Sequence, residues 1–285
     1  MIALIRRHPA ASYFALAFAL SWAGVMAVIW PGPIPAPPAE EERLFGLVYL
    51  AMLIGPPAAG LLMTALAGGR PGLRDYVGRL VKWRVGARWY AAALVTAPLV
   101  LALTLLALAS WSHDFLPGFL LSGPRGPVQA TSLSAFLSLA LAVGLGAGFF
   151  EELGWTGFAI PTLRSRFGVD ATGLFVGLLW GAWHFLAVWW GSARAFGSAS
   201  VPLFMFVALF SFLPPYRILM ARVYDATRSL LVAILMHASL TTWMILFGPS
   251  AAGNGAIVYD LVFGALLWIA VAATTHRRSA EFARE

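Results

Sequence analysis

The sequence contains no cysteine and very little charge. Only 11% of its 285 residues are Asp, Glu, Lys or Arg. The absence of cysteine excludes disulfide bonds, thiolate nucleophiles and Cys-ligated metal sites. The low charge excludes an ordinary soluble domain, because 60% of the residues are hydrophobic and a chain of this length cannot bury that much apolar surface.

The hydrophobic residues are grouped in runs. The mean hydropathy is +0.81, and about eight runs have the length of roughly 20 residues that crosses a hydrocarbon core of ~30 Å. We therefore predict an all-α, polytopic membrane protein with about eight transmembrane helices around an intramembrane polar cavity, built as a single membrane domain over residues 1–285. The first run is longer than a signal-peptide core and lacks a small-residue cleavage site, which favours a span. The predicted spans are about 10–30, 44–66, 89–110, 131–160, 172–190, 201–213, 229–247 and 256–275.

Prolines predict where these helices break. The acidic, Pro-rich segment at 31–43 is expected to be a non-helical loop. Gly55-Pro56-Pro57 is expected to interrupt the second span, Pro161 to end the fourth, and Pro214-Pro215 to interrupt the sixth. The residues that follow Pro215, including Arg217, then belong to a loop.

Basic residues predict the orientation. Eight spans place sixteen of the nineteen Lys and Arg residues on the side of the termini, and only Arg43, Arg125 and Arg194 on the other. By the positive-inside rule, the chain is an integral cell membrane protein with cytoplasmic N- and C-termini. The pI near 10.4 reflects charge spread through short loops. The predicted partner is the lipid bilayer, and no nucleic acid is expected.

Two glutamates and two histidines are predicted to lie inside the spans: Glu151, Glu152, His184 and His237. Such groups are costly in a membrane and mark functional sites, although a hydrogen-bonded packing role is the alternative for a single His. Glycine ridges would bring their helices together. Helical rise places Glu151, His184 and His237 in the cytoplasmic half of the membrane, with an entrance from that side. The ridges are Gly144 with Gly148, and Gly173 with Gly177 and Gly181.

Three segments resemble the motifs of the CPBP family, the type II CAAX-protease-like and bacteriocin-processing intramembrane proteases. They are EELGWTGFAIPTL (151–163), WGAWHF (180–185) and RILMARVYDATRSLLVAILMHASLTTW (217–243), within a motif-bearing core at about 131–247. The family pattern is Glu-Glu-x-x-x-Arg, aromatic-x-x-x-His and His-x-x-x-Asn on three membrane helices. The resemblance implies that Glu151 is the general base and that His184 helps to hold the attacking water. It implies that His237 and Thr241 stabilise the oxyanion, and Glu152 has the structural role of the pair.

Two positions depart from this pattern. Thr156 stands where the family has Arg, and Thr241 stands where it has Asn. Without that arginine, Glu152 is expected to be protonated or to pair with another arginine, such as Arg164 or Arg166. The hydroxyl of Thr241 still offers a hydrogen-bond donor.

The cofactor is left open by the sequence. Glu151, His184 and His237 are acceptable zinc ligands, and the family is commonly labelled metalloprotease. A metal-free glutamate mechanism uses the same residues, and the sequence has no His-Glu-x-x-His run.

The function that these residues predict is an intramembrane endopeptidase. It would hydrolyse a peptide bond of a membrane-anchored or hydrophobic peptide, with Glu-activated water attack and His/Thr oxyanion stabilisation. The departures at Thr156 and Thr241 favour an alternative, a non-catalytic scaffold or immunity protein that binds a peptide. An ion-coupled transporter would also use buried Glu and His, but the two halves of the chain show no matching broken spans.

Overall fold

The predicted all-helical membrane architecture is confirmed. The computed structural model describes residues 7–117, 132–193, 199–249 and 251–282, with side chains as far as 275. These residues form no strand, apart from an isolated bridge between Pro117 and Pro249. Eight helical segments within them are long and apolar enough to cross a membrane. The predicted orientation of the termini stays a prediction.

The helices follow one another with short connections. Two spans are built from more than one piece, namely α4 with α5, and α7 with α8. The helices are α1 (Pro9–Ile29), α2 (Pro38–Leu80), α3 (Ala87–Ala109), α4 (Leu133–Gly154), α5 (Ile160–Arg164), α6 (Val169–Trp190), α7 (Val201–Phe210), α8 (Leu213–Thr227), α9 (Leu230–Phe247) and α10 (Asn254–Phe282).

The predicted break in the second span is wrong. Helix α2 runs through Pro56 and Pro57 and bends instead at Gly69, where φ is 56°. Pro56 has no N–H, so the carbonyl of Met52 one turn earlier loses its helical donor. The hydroxyl of Ser21 on α1 donates to that carbonyl at 2.6 Å and replaces the missing bond.

The segment at 31–43 is also partly helical, contrary to the prediction. Helix α2 begins at Pro38, because a proline in the first turn gives up an N–H that has no intrahelical acceptor.

Pro161 does not end the fourth span. After α4 the backbone makes one π-helical turn, Trp155–Ala159, and continues into α5 with Pro161 in its first turn. Such turns rotate the following side chains relative to a regular α-helix and are frequent at functional sites. The Tyr76 hydroxyl donates to the carbonyl of Leu153 at 2.6 Å, and Arg79 donates to that of Gly157 at 3.0 Å. The turn directly after the glutamate pair is therefore held by side chains of α2.

The sixth span is broken at Ser211–Phe212, just before the predicted position. Pro214 and Pro215 lie in the first turn of α8, which continues to Thr227. Arg217 and Arg222 are therefore buried helical residues, and their assignment to a loop is wrong.

The two predicted glycine ridges are confirmed as close-packing surfaces. A Cβ on Gly148 would come within 2.5 Å of the carbonyl oxygen of Ile234, so α4 and α9 touch backbone to backbone. A Cβ on Gly177 would come within 2.6 Å of the Cα of Pro214, which brings α6 equally close to α8. Larger side chains would force these pairs apart. The ridges thus hold α4, α6, α8 and α9 around one another.

Candidate active site

Glu151 lies at the inner end of a cavity with its carboxylate fixed by two indoles. One oxygen, Oε2, accepts hydrogen bonds from Trp180 at 2.7 Å and from Trp155 at 3.3 Å. The other oxygen, Oε1, lies 3.8 Å from Nε2 of His237. The residue is 3% exposed. One carboxylate oxygen is therefore anchored, and the other faces a histidine without a direct hydrogen bond.

Glu152 is buried behind this group and does not line the cavity. Its carboxylate is fully shielded from solvent and receives three side chains. Nη1 of Arg217 lies 2.8 Å from both oxygens, the hydroxyl of Thr156 donates to Oε2, and Nδ1 of His237 lies 2.7 Å from Oε1. These contacts satisfy the charge and the lone pairs of a carboxylate that would otherwise be very costly to bury.

Arg217 is the main site residue that the sequence prediction missed. It is fully buried and forms an ion pair with Glu152. Its Cζ lies 4.0 Å from the ring centroid of Trp180, so a cation–π contact covers one face of the guanidinium. The prediction that Glu152 pairs with another arginine is confirmed. The arginine suggested for this role, Arg164, pairs with Asp225 instead. The signal that could have found Arg217 is the position of Pro214-Pro215, which suits a first helical turn as well as a break.

His237 links the two glutamates. Because the carboxylate of Glu152 can only accept, Nδ1 of His237 carries the proton of the 2.7 Å bond. Its Nε2 is then turned toward Glu151 and the cavity. A carboxylate that holds the far nitrogen of an imidazole fixes both its tautomer and its direction.

His184 is oriented by its own helix. Its Nδ1 lies 2.8 Å from the carbonyl oxygen of Trp180, one turn earlier on α6. A carbonyl only accepts, so this nitrogen donates and the Nε2 of the neutral ring is left with its lone pair. The ring lines the same cavity as Glu151 and His237. Its free nitrogen is suited to accept a proton or a hydrogen bond.

Trp180 connects every part of the site. Its indole N–H holds Glu151, its carbonyl holds His184, and its ring face covers Arg217. The ring also packs edge-on against His237, with centroids 5.0 Å apart. This residue is the aromatic position of the aromatic-x-x-x-His motif, so its presence was predicted but its hydrogen bonds were not.

The cavity has a volume of about 530 Å³ and is mostly apolar. Thr241 lies in its wall, one turn beyond His237 on α9. The structure therefore brings Glu151, His184, His237 and Thr241 to one cavity, with Glu152 behind them. The wall continues with Phe45, Val48, Tyr49, Met52, Ala147, Ala187, Val188, Phe204, Leu240 and Met244, among others.

The described lining of the cavity extends away from the side predicted for the entrance. The wall residues of α9 run from His237 to Ile245, and those of α6 run from Trp180 to Ser192. On both helices, the cavity thus follows the chain away from the side on which the termini lie.

The zinc ligand set considered from sequence is not grouped as a three-ligand site. Among the described residues, no three His, Cys, Asp or Glu side chains are placed so as to hold a metal ion.

A multi-span helical bundle with a buried glutamate–histidine site defines the chain as a polytopic membrane protein with an intramembrane polar site. The profile of the family described as Type II CAAX prenyl endopeptidase Rce1-like matches residues 133–243. The chain is also 23% identical over 201 residues to CAAX prenyl protease 2 of Methanococcus maripaludis, covering 68% of this chain and 70% of that protein. Over these residues the chain is therefore similar to the type II CAAX prenyl endopeptidases of the CPBP family.

Proposed function

We propose that the chain is an intramembrane endopeptidase in which Glu151 activates water for attack on a peptide bond. Similarity to Rce1-like type II CAAX prenyl endopeptidases supports an intramembrane endopeptidase in general terms. The observation that carries the finer proposal is the state of the Glu151 carboxylate. Its Oε2 is anchored by two indoles, and its Oε1 faces His237 at the inner end of a cavity.

In this proposal, Glu151 and His184 hold the attacking water between them. The lone pair on Nε2 of His184 accepts one hydrogen bond from the water, and Oε1 of Glu151 takes its proton. Anchoring of Oε2 by Trp180 and Trp155 keeps the carboxylate from rotating away. A base in a fixed position needs no reorganisation when the reaction occurs.

His237 and Thr241 are proposed to stabilise the oxyanion. When protonated, His237 donates from Nδ1 to Glu152 and keeps its Nε2–H for the substrate oxygen. The hydroxyl of Thr241, one turn away on α9, is the second donor. Donors that are already aimed at a developing negative charge stabilise the transition state more than the ground state.

Hydrolysis proceeds through a tetrahedral intermediate. The water oxygen bonds to the carbonyl carbon, its proton passes to Glu151, and the carbonyl oxygen becomes the oxyanion. Collapse of the tetrahedral intermediate breaks the C–N bond, and the proton held by Glu151 passes to the leaving nitrogen. The products are a peptide carboxylate and a peptide amine.

Arg217, Glu152 and Thr156 are proposed to position His237. Glu152 reaches His237 directly, and Arg217 and Thr156 fix the carboxylate of Glu152. The guanidinium missing at position 156 is thus supplied from another helix. Glu152 and Arg217 keep the proton on Nδ1 of His237 and do not contact the substrate themselves.

The proposed substrate is a membrane-anchored or hydrophobic peptide. The cavity volume lies within the range of about 300–1,000 Å³ that is common for ligand sites. Most of the residues in its wall are apolar. Apolar side chains next to the scissile bond are therefore expected to be preferred.

The proposal is tested with purified protein in liposomes and a library of hydrophobic peptides, with products identified by mass spectrometry. We expect the wild type to give defined cleavage products and His184→Ala to lower their rate by about 10²–10⁴-fold. His113→Ala is the matched control, because His113 is an exposed histidine outside the cavity wall and its replacement should keep the activity. Wild-type rates for His184→Ala would contradict the proposal.

A further inference from the structure

Among the described residues, the wall of the cavity extends from Glu151 toward one side of the bundle. From Glu151, the wall on α4 runs back to Val143, and from His237 the wall on α9 runs forward to Ile245. The wall on α2 starts at Glu41, in the first turn of that helix. Because successive spans alternate in direction, the start of α2 and the end of α9 lie on the same side, opposite the termini.

The opposite end of the site is closed by large buried side chains. Trp155, Tyr216 and Arg217 are each 0% exposed, and none of them lines the cavity. Tyr216 donates to the carbonyl of Met236 at 2.8 Å, directly before His237. The packed layer formed by Trp155, Tyr216 and Arg217 separates the glutamates from the side of the termini. A peptide cannot reach Glu151 through it without unpacking the core.

The charges identify the two sides. Among the described residues, the helix ends on the cavity side carry Glu40, Glu41 and Glu42, with Arg43 as their one Lys or Arg. Basic residues are concentrated at the other end even after Arg217 and Arg222 are placed inside the bundle. By the positive-inside rule, that end faces the cytoplasm. The basic residues there include Arg70, Arg74, Arg79, Lys82, Arg84, Arg88, Arg164, Arg166 and Arg228.

We infer that the substrate peptide enters from the non-cytoplasmic side of the membrane, opposite the termini. This inference rests on the proposed function for the identity of the occupant, an apolar peptide segment whose scissile bond reaches Glu151. With this direction of entry, the substrates are membrane segments or exported peptides that reach the site from the outer face of the membrane. The continuity of the apolar wall with Glu151 and His237 is the reason that the occupant is substrate.

The absence of cysteine from the chain allows a direct test. Ala187→Cys places a single thiol in the partly exposed cavity wall. Gly78→Cys and Gly168→Cys place one at the terminal side, at exposed positions where an added Cβ meets no other atom within 4 Å. Arg43→Cys is the control for the outer side, because that side chain is 70% exposed. A membrane-impermeant maleimide is applied to sealed right-side-out and inside-out vesicles.

We expect the maleimide to label Ala187→Cys and Arg43→Cys at least tenfold faster in right-side-out vesicles than in inside-out vesicles. Gly78→Cys and Gly168→Cys should label only in inside-out vesicles. Labelling of Ala187→Cys from the cytoplasmic side, or from neither side, would overturn the inference. Labelling needs no turnover, so the same measurement on His184→Ala reports the entrance even if the proposed proteolysis is wrong. Peptide cleavage by the same variants is measured separately.

Discussion

At the scale of single residues, Glu152 pairs with Arg217 on another helix. In the Glu-Glu-x-x-x-Arg pattern, the arginine partner would lie one turn further along the same helix. Thr156 faces Glu152 from one turn away, where an arginine would also reach it. Arg217 reaches the same carboxylate from α8, 65 positions further along the chain. The same electrostatic requirement is therefore met by a different helix.

Moving the arginine back tests this relation. Arg217→Ala should destabilise the protein by about 3–5 kcal/mol, because it leaves a buried carboxylate without its cation. Thr156→Arg combined with Arg217→Ala should recover a large part of both the thermal stability and the cleavage rate. Thermal unfolding in detergent and peptide cleavage measure the two effects. Thr156→Val with Arg217→Ala is the control, and equal recovery by the control would show that the guanidinium is not what matters.

Thr241 offers a second prediction at this scale. If its hydroxyl is an oxyanion donor, Thr241→Val should lower kcat by about 10²–10³-fold with little change in KM. Thr241→Asn restores a donor and should recover activity. Steady-state kinetics on one cleaved peptide separate kcat from KM. A change confined to KM would assign Thr241 to substrate binding instead.

At the scale of helices, the prolines explain most of what the sequence prediction missed. The sequence predicts a break at Pro56 and Pro57, but the hydrogen bond lost at the Met52 carbonyl is replaced by one from Ser21, which is 31 positions away. The sequence likewise predicts a break at Pro214 and Pro215, which places Arg217 outside the membrane. A proline has the same local signature in a first turn, a kink or a loop, and only its tertiary partners decide between them.

The bond from Ser21 to Met52 leads to a coupling that can be measured. Ser21→Ala should cost about 1–3 kcal/mol, because the carbonyl of Met52 then lacks a donor inside the bundle. Pro56→Ala restores a backbone N–H to that carbonyl. In the Pro56→Ala background, the same Ser21→Ala change should therefore cost much less. A double-mutant cycle by thermal unfolding gives the coupling energy, and purely additive effects would contradict the assigned hydrogen bond.

Other features of the site were predictable because they depend on the helical spacing of glycines and on the free-energy cost of placing ionisable side chains in a membrane. Two histidines and two glutamates in apolar runs indicate a shared polar site, and the glycine ridges indicate which helices approach closely. The anchoring of Glu151 by Trp155 and Trp180 was not predictable. Tryptophans are common in membrane helices as apolar residues, and nothing local shows that an indole N–H is used.

At the scale of the whole molecule, burial separates two functions of one glutamate pair. Glu152 is enclosed with Arg217 on the sealed side, and Glu151 faces the cavity. Neighbouring residues on a helix point about 100° apart, so one can belong to the core and the other to the site. A carboxylate pair in the motif therefore yields one positioning group and one group that can meet substrate.

The most direct test of the account is the rate of peptide cleavage by Glu151→Gln. This change keeps the size of the side chain and a carbonyl oxygen able to accept the indole hydrogen bonds, but it removes the base. We expect kcat to fall by about 10²–10⁴-fold while thermal stability and labelling of Ala187→Cys stay within a small margin of the parent protein. Cleavage by folded Glu151→Gln at the wild-type rate would contradict the assignment of Glu151 as the group that activates water.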